Sequence, residues 1–232
     1  MSKARRKKRS GLSSPDRLVI IGVGAVVVAL ALIALSGGFA PPTPPPATAD
    51  TTAAQSLDLC NGQPCPARGS TDAPVTMIEL SDYACGHCRD FNLDKAASID
   101  DKYVKTGKLR YVSHVFALWP ETQAAAAASL CANEQGKYWE FHHQAFVNQK
   151  QNGFPTAADL LAWGQQIGLD ASRYADCVNS GRTMQDVQVS AFEGKRAGVT
   201  STPTFFINGR VIKGNVPLDE FERAIEAALA GQ

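Results

Sequence analysis

The chain has 232 residues, enough for one domain or for one domain with a large insertion. Its hydrophobic content of 44% allows a sizeable core. The net charge is +1, and the chain beyond its basic N-terminus carries −5, which excludes the broad basic surface of a nucleic-acid-binding protein.

The N-terminal 40 residues have the pattern of a membrane anchor. Residues 1–17 hold seven Lys or Arg against Asp16 alone, and residues 18–35 are uncharged and mostly apolar. As a helix this run spans roughly 27 Å, close to the hydrocarbon core of a bilayer. Because Lys and Arg favour the cytoplasmic side, we predict a cytoplasmic segment (1–17), a single-pass transmembrane anchor (18–40) and an extracytoplasmic remainder. A cleaved signal peptide is the alternative, although its apolar stretch is usually shorter.

Residues 41–71 are predicted to be a linker. Their first part is rich in Pro, Ala and Thr, which favours an extended, semi-rigid chain. Cys60 and Cys65 flank a turn-forming segment, and we predict a small disulfide ring there, with a labile regulatory disulfide as the alternative. Six cysteines are an even count in an exported chain, where disulfides are chemically allowed.

The remaining sequence alternates between strand and helix patterns. The pattern predicts the following elements in chain order: a strand Val75–Ser81, a helix from Ala84 to about Ile99, a strand Leu109–Leu118, helices Glu121–Asn133, Lys137–Gln149, Thr156–Ile167, Ala171–Asn179 and Met184–Ala197, strands Thr204–Asn208 and Arg210–Lys213, and a final helix to about Ala230. This order predicts an α/β sheet layered with helices, with a helical block between its βαβ and ββα halves. The aromatic residues predicted for the core of that block are Trp119, Trp139, Phe141, Phe146 and Trp163.

Cys85-Gly86-His87-Cys88 follows a strand and opens a helix. Such a pair is redox-active, half of a zinc site or a plain disulfide. A structural zinc site usually needs a second Cys or His pair nearby, whereas Cys131 and Cys177 stand alone and the neighbouring His142 and His143 cannot both face one metal from a helix. The spacing therefore favours a redox pair, with no metal and no cofactor.

A redox role has a physical basis at this position. The first turn of a helix carries unsatisfied N–H groups and partial positive charge, which lower the pKa of a cysteine there. We therefore predict Cys85 as the nucleophile and Cys88 as its partner, with His87 adding a hydrogen-bond donor or positive charge.

Two further positions are candidates for the site. Glu79 lies in the strand before the cysteines, where composition alone favours exposure, although burial would raise its pKa and allow proton exchange near neutral pH. Thr202-Pro203 leads into the third strand. The proline is either a strand-entry residue or part of a cis peptide that presents backbone groups to a substrate.

Taken together, these motifs resemble the thioredoxin superfamily, and the helical block with Leu130-Cys131-Ala132 and residues 136–142 resembles its membrane-anchored DsbA-like branch. The resemblance covers residues 72–231, with the helical insertion at about 119–185. It implies a thioredoxin fold, a buried functional acid at Glu79, and a cis Pro203 that contacts substrate together with Thr202. It also implies that the protein introduces disulfides into reduced or unfolded exported proteins and is reoxidised by a quinone-linked membrane oxidase of DsbB or VKOR type.

The residues between the cysteines leave the direction of the reaction open. Gly86-His87 resembles protein disulfide isomerase, whereas DsbA carries Pro-His, so the reduction potential is expected nearer about −180 mV than about −120 mV. An isomerase or reductase therefore remains the alternative to an oxidase. A membrane-tethered metal-binding chaperone is a third hypothesis, which leaves Glu79 and Pro203 unexplained.

Cys131 and Cys177 lie in predicted helices of the inserted block. In an oxidising compartment we predict that they form a structural disulfide, with two buried thiols as the alternative.

Overall fold

The computed structural model describes residues 65–149 and 153–231. In chain order its elements are β1 (Ala67–Arg68), β2 (Val75–Ser81), α1 (Gly86–Asp94), α2 (Ala96–Ile99), β3 (Leu109–Val115), α3 (Gln123–Asn133), α4 (Tyr138–Val147), α5 (Ala157–Gln166), α6 (Ala171–Ser180), α7 (Met184–Arg196), β4 (Thr204–Ile207), β5 (Arg210–Lys213) and α8 (Leu218–Ala230). The predicted cytoplasmic segment, anchor and most of the linker lie outside the described residues. In the described part, no helix is long and apolar enough to cross a membrane.

The five strands form one sheet in the order β1-β3-β2-β4-β5. β2 and β3 run parallel, as strands joined by a helical crossover must, while β4 pairs antiparallel with β2 and β5 antiparallel with β4. The two predicted halves therefore meet at the β2–β4 pair. The predicted α/β sheet with a helical block inserted between its halves is confirmed.

Strand alternation decides which side chains of β2 face α1, the helix that begins next to Cys85. Val75 and Met77 point to the same face and share a core cluster with Phe91 of α1 and Phe221 of α8. Glu79 follows at the same period, so it also lies on this helix-covered face. Leu80 points the other way, into a smaller cluster on the opposite side of the sheet.

The helical block has its own core, which also reaches the redox motif through Tyr83 and Cys88. Its large members include Phe141 and Tyr174, both almost fully buried. The close approach of two helices requires Gly164, because a Cβ at this position would lie 2.4 Å from the Tyr174 ring. Trp119, predicted for this core, is 44% exposed, so that prediction is wrong: Trp119 caps the N-terminal end of a short 3₁₀ turn at the edge of the block.

Two element boundaries differ from prediction for the same local reason. The carboxylate of Asp82 accepts the N–H groups of Ala84 and Leu118. Ala84 therefore stays outside the helix, which begins at Gly86, and Leu118 leaves the sheet, so β3 ends at Val115. The predicted long helix is also interrupted at Lys95, whose φ of −122° departs from helical geometry, and α2 then continues into a π-helical turn, Asp100–Val104.

Candidate active site

Cys85 and Cys88 stand at the start of α1 with different exposure. Cys85 is the N-cap residue, in extended conformation, and is partly exposed. Cys88 lies in the first turn and is fully buried. Both are free thiols in this structure. Only the Cys85 sulfur is therefore open to a second molecule.

The two thiols also differ in acidity. The hydrogen bond from the Cys88 thiol is the main cause that lowers the pKa of Cys85 to about 6, with further contributions from the backbone N–H groups of Cys88 and His87, while partial burial opposes them. Burial raises the pKa of Cys88 well above its ordinary value, and Cys85 and Glu79 add to this shift. The pair therefore consists of one thiol that ionises readily and one that holds its proton.

His87 lies between the cysteines with an exposed side chain. Its contribution to the Cys85 sulfur comes from its backbone N–H, as expected for the first turn of a helix.

The loop before β4 brings the predicted substrate-binding residues to the same sulfur. The peptide bond between Thr202 and Pro203 is cis. The Cys85 thiol donates a hydrogen bond of 3.3 Å to the Thr202 carbonyl oxygen. The structure thus places Cys85, Cys88, Thr202 and Pro203 in one site.

Glu79 is fully buried beneath this site. Composition favoured an exposed side chain, and this is wrong because Glu79 lies on the face of the sheet that α1 covers. The family resemblance implied burial. Burial raises the pKa of Glu79 to about 7, against the lowering effects of hydrogen bonds from Tyr111 and Asn92 and of the Arg68 charge. Glu79 can therefore gain and lose a proton near neutral pH.

A buried chain of hydrogen bonds extends from Glu79 into the helical block. The Asn92 amide nitrogen donates to Glu79 Oε1 at 2.8 Å and to the Cys88 carbonyl oxygen at 3.0 Å. Asn92 Oδ1 is 3.0 Å from His142 Nε2, and His142 Nδ1 is 3.0 Å from the Tyr83 hydroxyl. Sequence reasoning missed Asn92, and it considered His142 as a metal ligand and as part of the family resemblance but gave it no role beside Glu79, because no local pattern shows that Asn92 and His142 meet.

Asp82 and Gln149 also shape the site and were missed. Asp82, three residues before Cys85, is buried and accepts hydrogen bonds from Ala84, Leu118 and the Thr122 hydroxyl. The sequence could have indicated this role, since the side chain of Asp commonly accepts a hydrogen bond from the backbone N–H two residues later in a turn. The Gln149 side chain donates hydrogen bonds to the Tyr83 and Cys85 carbonyl oxygens. Gln149 lies 64 positions after Cys85 in the chain, so no local pattern predicts this contact.

The other predicted cysteines are separate from the redox pair. Cys131 of α3 and Cys177 of α6 form a disulfide with an S–S distance of 2.01 Å. The predicted ring of Cys60 and Cys65 includes Cys60, which lies outside the described residues. Among residues 65–149 and 153–231, no cluster of three or more His, Cys, Asp or Glu side chains is placed to hold a metal ion.

Comparison with known proteins shows what this chain is similar to. A family model described as Thioredoxin matches residues 63–227. Disulfide bond formation protein D of Bacillus subtilis is 26% identical over 190 residues, which cover 77% of this chain and 85% of that protein. The Na+/H+ antiporter NhaA 3 of Salinispora tropica is 32% identical over 170 residues, covering 70% of this chain and 24% of the antiporter. The chain thus spans about a quarter of the length of such antiporter relatives.

Solved structures share the fold. Oxidised BdbD from Bacillus subtilis superimposes with a TM-score of 0.67 at 23% identity, covering 72% of this chain and 93% of that structure. DsbA from Chlamydia trachomatis superimposes with a TM-score of 0.68 at 21% identity, covering 75% and 96%.

Proposed function

This chain belongs to the thioredoxin family, and from that premise we propose that it is a DsbA-like thiol–disulfide oxidoreductase that introduces disulfides into exported proteins through Cys85 and Cys88. The observation that carries the proposal is the asymmetry of the two thiols. Cys85 is partly exposed with a pKa of about 6, whereas Cys88 is buried and its pKa is raised. The Cys85 sulfur is thus suited to form the mixed disulfide with substrate, and Cys88 is suited to leave from the Cys85–Cys88 disulfide and take up a proton.

The reaction starts from the Cys85–Cys88 disulfide. A substrate thiolate attacks the Cys85 sulfur, the bond between Cys85 and Cys88 breaks, and its electron pair leaves on Cys88. The product is a mixed disulfide between substrate and Cys85. Because the pKa of Cys88 is raised, its thiolate takes up a proton.

A second substrate thiolate completes the transfer. It attacks the substrate sulfur of the mixed disulfide, and Cys85 leaves as a thiolate. The substrate gains a disulfide, and two electrons reside on the Cys85/Cys88 dithiol. The lowered pKa of Cys85 favours this step, because thiols of low pKa leave faster, and it stabilises the reduced protein relative to the disulfide.

Glu79 is the proposed proton donor and acceptor for Cys88. It is buried, its pKa is about 7, and its charge contributes to the raised pKa of Cys88. A carboxyl group with a pKa near the working pH exchanges protons efficiently in both directions. His87 is the proposed modulator of Cys85 through its backbone N–H.

Thr202 and Pro203 are the proposed substrate-binding residues. The Thr202 carbonyl oxygen lies beside the Cys85 sulfur, so a substrate chain that reaches Cys85 passes this loop. The backbone groups of the loop are then available to align an extended segment next to the reacting sulfurs.

We further propose that the protein is a single-pass membrane protein with its catalytic domain outside the cytoplasm. The support is the basic segment 1–17 followed by the apolar run 18–35. The proposed electron acceptor is a quinone-linked membrane oxidase of DsbB or VKOR type, on the basis of the family resemblance. Full-length protein in the membrane fraction is the expected result of cell fractionation, and a soluble species beginning near Pro41 would contradict it.

The decisive experiment measures the reduction potential of the Cys85/Cys88 couple together with oxidation of a reduced, unfolded protein substrate by the full-length protein. A stoichiometric transfer of disulfides to the substrate supports the oxidase. The Gly86-His87 pair favours isomerisation or reduction as the second candidate function. If Cys85 and Cys88 are reduced in cells and the isolated protein rearranges mispaired disulfides faster than it oxidises thiols, the second function is correct.

A further inference from the structure

The hydrogen bonds around Asn92 leave one arrangement of its donors and acceptors. The Cys88 carbonyl oxygen only accepts, so the atom 3.0 Å from it is the Asn92 amide nitrogen. The second hydrogen of that nitrogen points to Glu79 Oε1 at 2.8 Å. Asn92 Oδ1 is then an acceptor, and its partner His142 Nε2 must carry a hydrogen.

The protonation of His142 follows from the same logic. With its hydrogen on Nε2, the neutral ring accepts at Nδ1 from the Tyr83 hydroxyl, 3.0 Å away. Burial lowers the pKa of His142 to about 3, so the ring is neutral at working pH and does not titrate in the same range as Glu79. The ring is also held by packing, stacked on Tyr138 and edge-on to Phe146.

We infer that Asn92, oriented by His142, is a positioning residue that holds the Glu79 carboxyl group against the redox helix and determines the pH at which it exchanges its proton. The inference rests on the proposed function and deepens it. His142 belongs to α4 of the helical block, Asn92 to α1 and Glu79 to β2, so the inserted block reaches the proton-exchanging group of the redox site through two side chains.

Other groups also act on Glu79, and each comes from a different element. Tyr111 of β3 donates a hydrogen bond to Oε2, and Arg68 of β1 contributes positive charge. Cys85 raises the pKa of Glu79 by its charge. The neighbour in β4 is Phe205, which is apolar. Asn92 alone among these groups contacts both Glu79 and the backbone of Cys88.

The test is the titration of Glu79 in the full-length protein. It is monitored through the infrared carboxyl band that is present in the wild-type protein and absent from Glu79→Gln. Asn92→Leu keeps the approximate shape but removes the donor to the carboxylate, so the Glu79 midpoint should rise by about one pH unit. His142→Phe should move it in the same direction by less, and His142→Gln, which restores an N–H donor, should return it toward the wild-type value. His143→Phe is the matched control, because His143 is the exposed neighbour, and it should leave the midpoint unchanged.

The rate of thiol exchange should follow the same midpoints. An unchanged Glu79 midpoint in both Asn92→Leu and His142→Phe, with exchange intact, overturns the inference and leaves the proposed function standing. Absence of exchange by the wild-type protein overturns the proposed function, while the infrared titration still decides whether Asn92 controls Glu79. If Asn92→Leu does not fold, the comparison of His142→Phe with His142→Gln decides.

Discussion

The thiol of Cys85 donates a hydrogen bond to the carbonyl oxygen of Thr202, a residue 117 positions further along the chain. This contact joins the start of α1 to the loop before β4. The sulfur that is proposed to form the mixed disulfide therefore lies against backbone that is proposed to align the substrate, and neither half of the fold builds the site alone.

The two cysteines should behave differently toward substrate. Cys88→Ser should accumulate mixed disulfides between Cys85 and an exported protein that already carries a disulfide, because the Cys85 thiolate attacks that disulfide, one substrate thiolate leaves, and no Cys88 thiol is present to release the substrate. Cys85→Ser should form none, since Cys88 is fully buried. Non-reducing electrophoresis measures both, with the double variant as control. Capture of substrate by Cys85→Ser would show that the assignment of the nucleophile is wrong.

The acidity of Cys85 should depend on Cys88. The pKa of Cys85 is expected at about 6, measured by the ultraviolet absorbance of the thiolate. Because the hydrogen bond from Cys88 is the main lowering cause, Cys88→Ala should raise the Cys85 pKa, and Cys88→Ser, which retains a donor, should raise it less. A wild-type value near the free-thiol pKa of about 8.5 would contradict the geometry of the site.

Stability should fall with rising pH because of Glu79. Its pKa is raised from 4.5 to about 7, so the folded protein binds the proton more tightly than the unfolded chain. The contribution of Glu79 is complete below about pH 4.5 and is lost as the pH rises through about 7. Relative to Glu79→Gln, the wild-type protein should lose up to about 3 kcal/mol of unfolding free energy across this window.

Urea denaturation of both proteins at a series of pH values, in the same redox state, measures this difference. With Cys85 and Cys88 held as a disulfide in both proteins, neither cysteine titrates, so the difference reports Glu79. A pH-independent difference would show that Glu79 does not titrate in this range.

Asp82 should be important for stability as well as for the shape of the site. Asp82→Ala leaves the partly buried N–H groups of Ala84 and Leu118 without their acceptor and should cost about 3 kcal/mol. Thr122→Val is the matched control, because it removes only the hydroxyl that also bonds to Asp82, and it should cost about 1 kcal/mol. Equal losses in the two variants, measured by denaturation, would contradict the role assigned to the carboxylate.

The sequence by itself determined the order of strands and helices, the presence of a helical block between the two halves of the sheet, and the pair Cys85 and Cys88 at the start of a helix. These features have local signals: hydrophobic period, turn residues such as Asn208-Gly209, and two cysteines one helical turn apart. Local signals also carried the resemblance to a family, and with it the significance of Glu79 and Pro203.

Only the tertiary structure decided how the residues of the proposed site are arranged. Glu79 is buried because the sheet face it shares with Val75 and Met77 is covered by α1, which strand alternation alone does not show. Asn92, His142 and Gln149 reach the site from positions 13, 63 and 70 residues beyond Glu79, and such contacts are set by packing, with no repeating pattern in the chain. The same packing buries Cys88, which raises its pKa, and brings hydrogen bonds to the partly exposed Cys85, first of all from Cys88, which lower the Cys85 pKa.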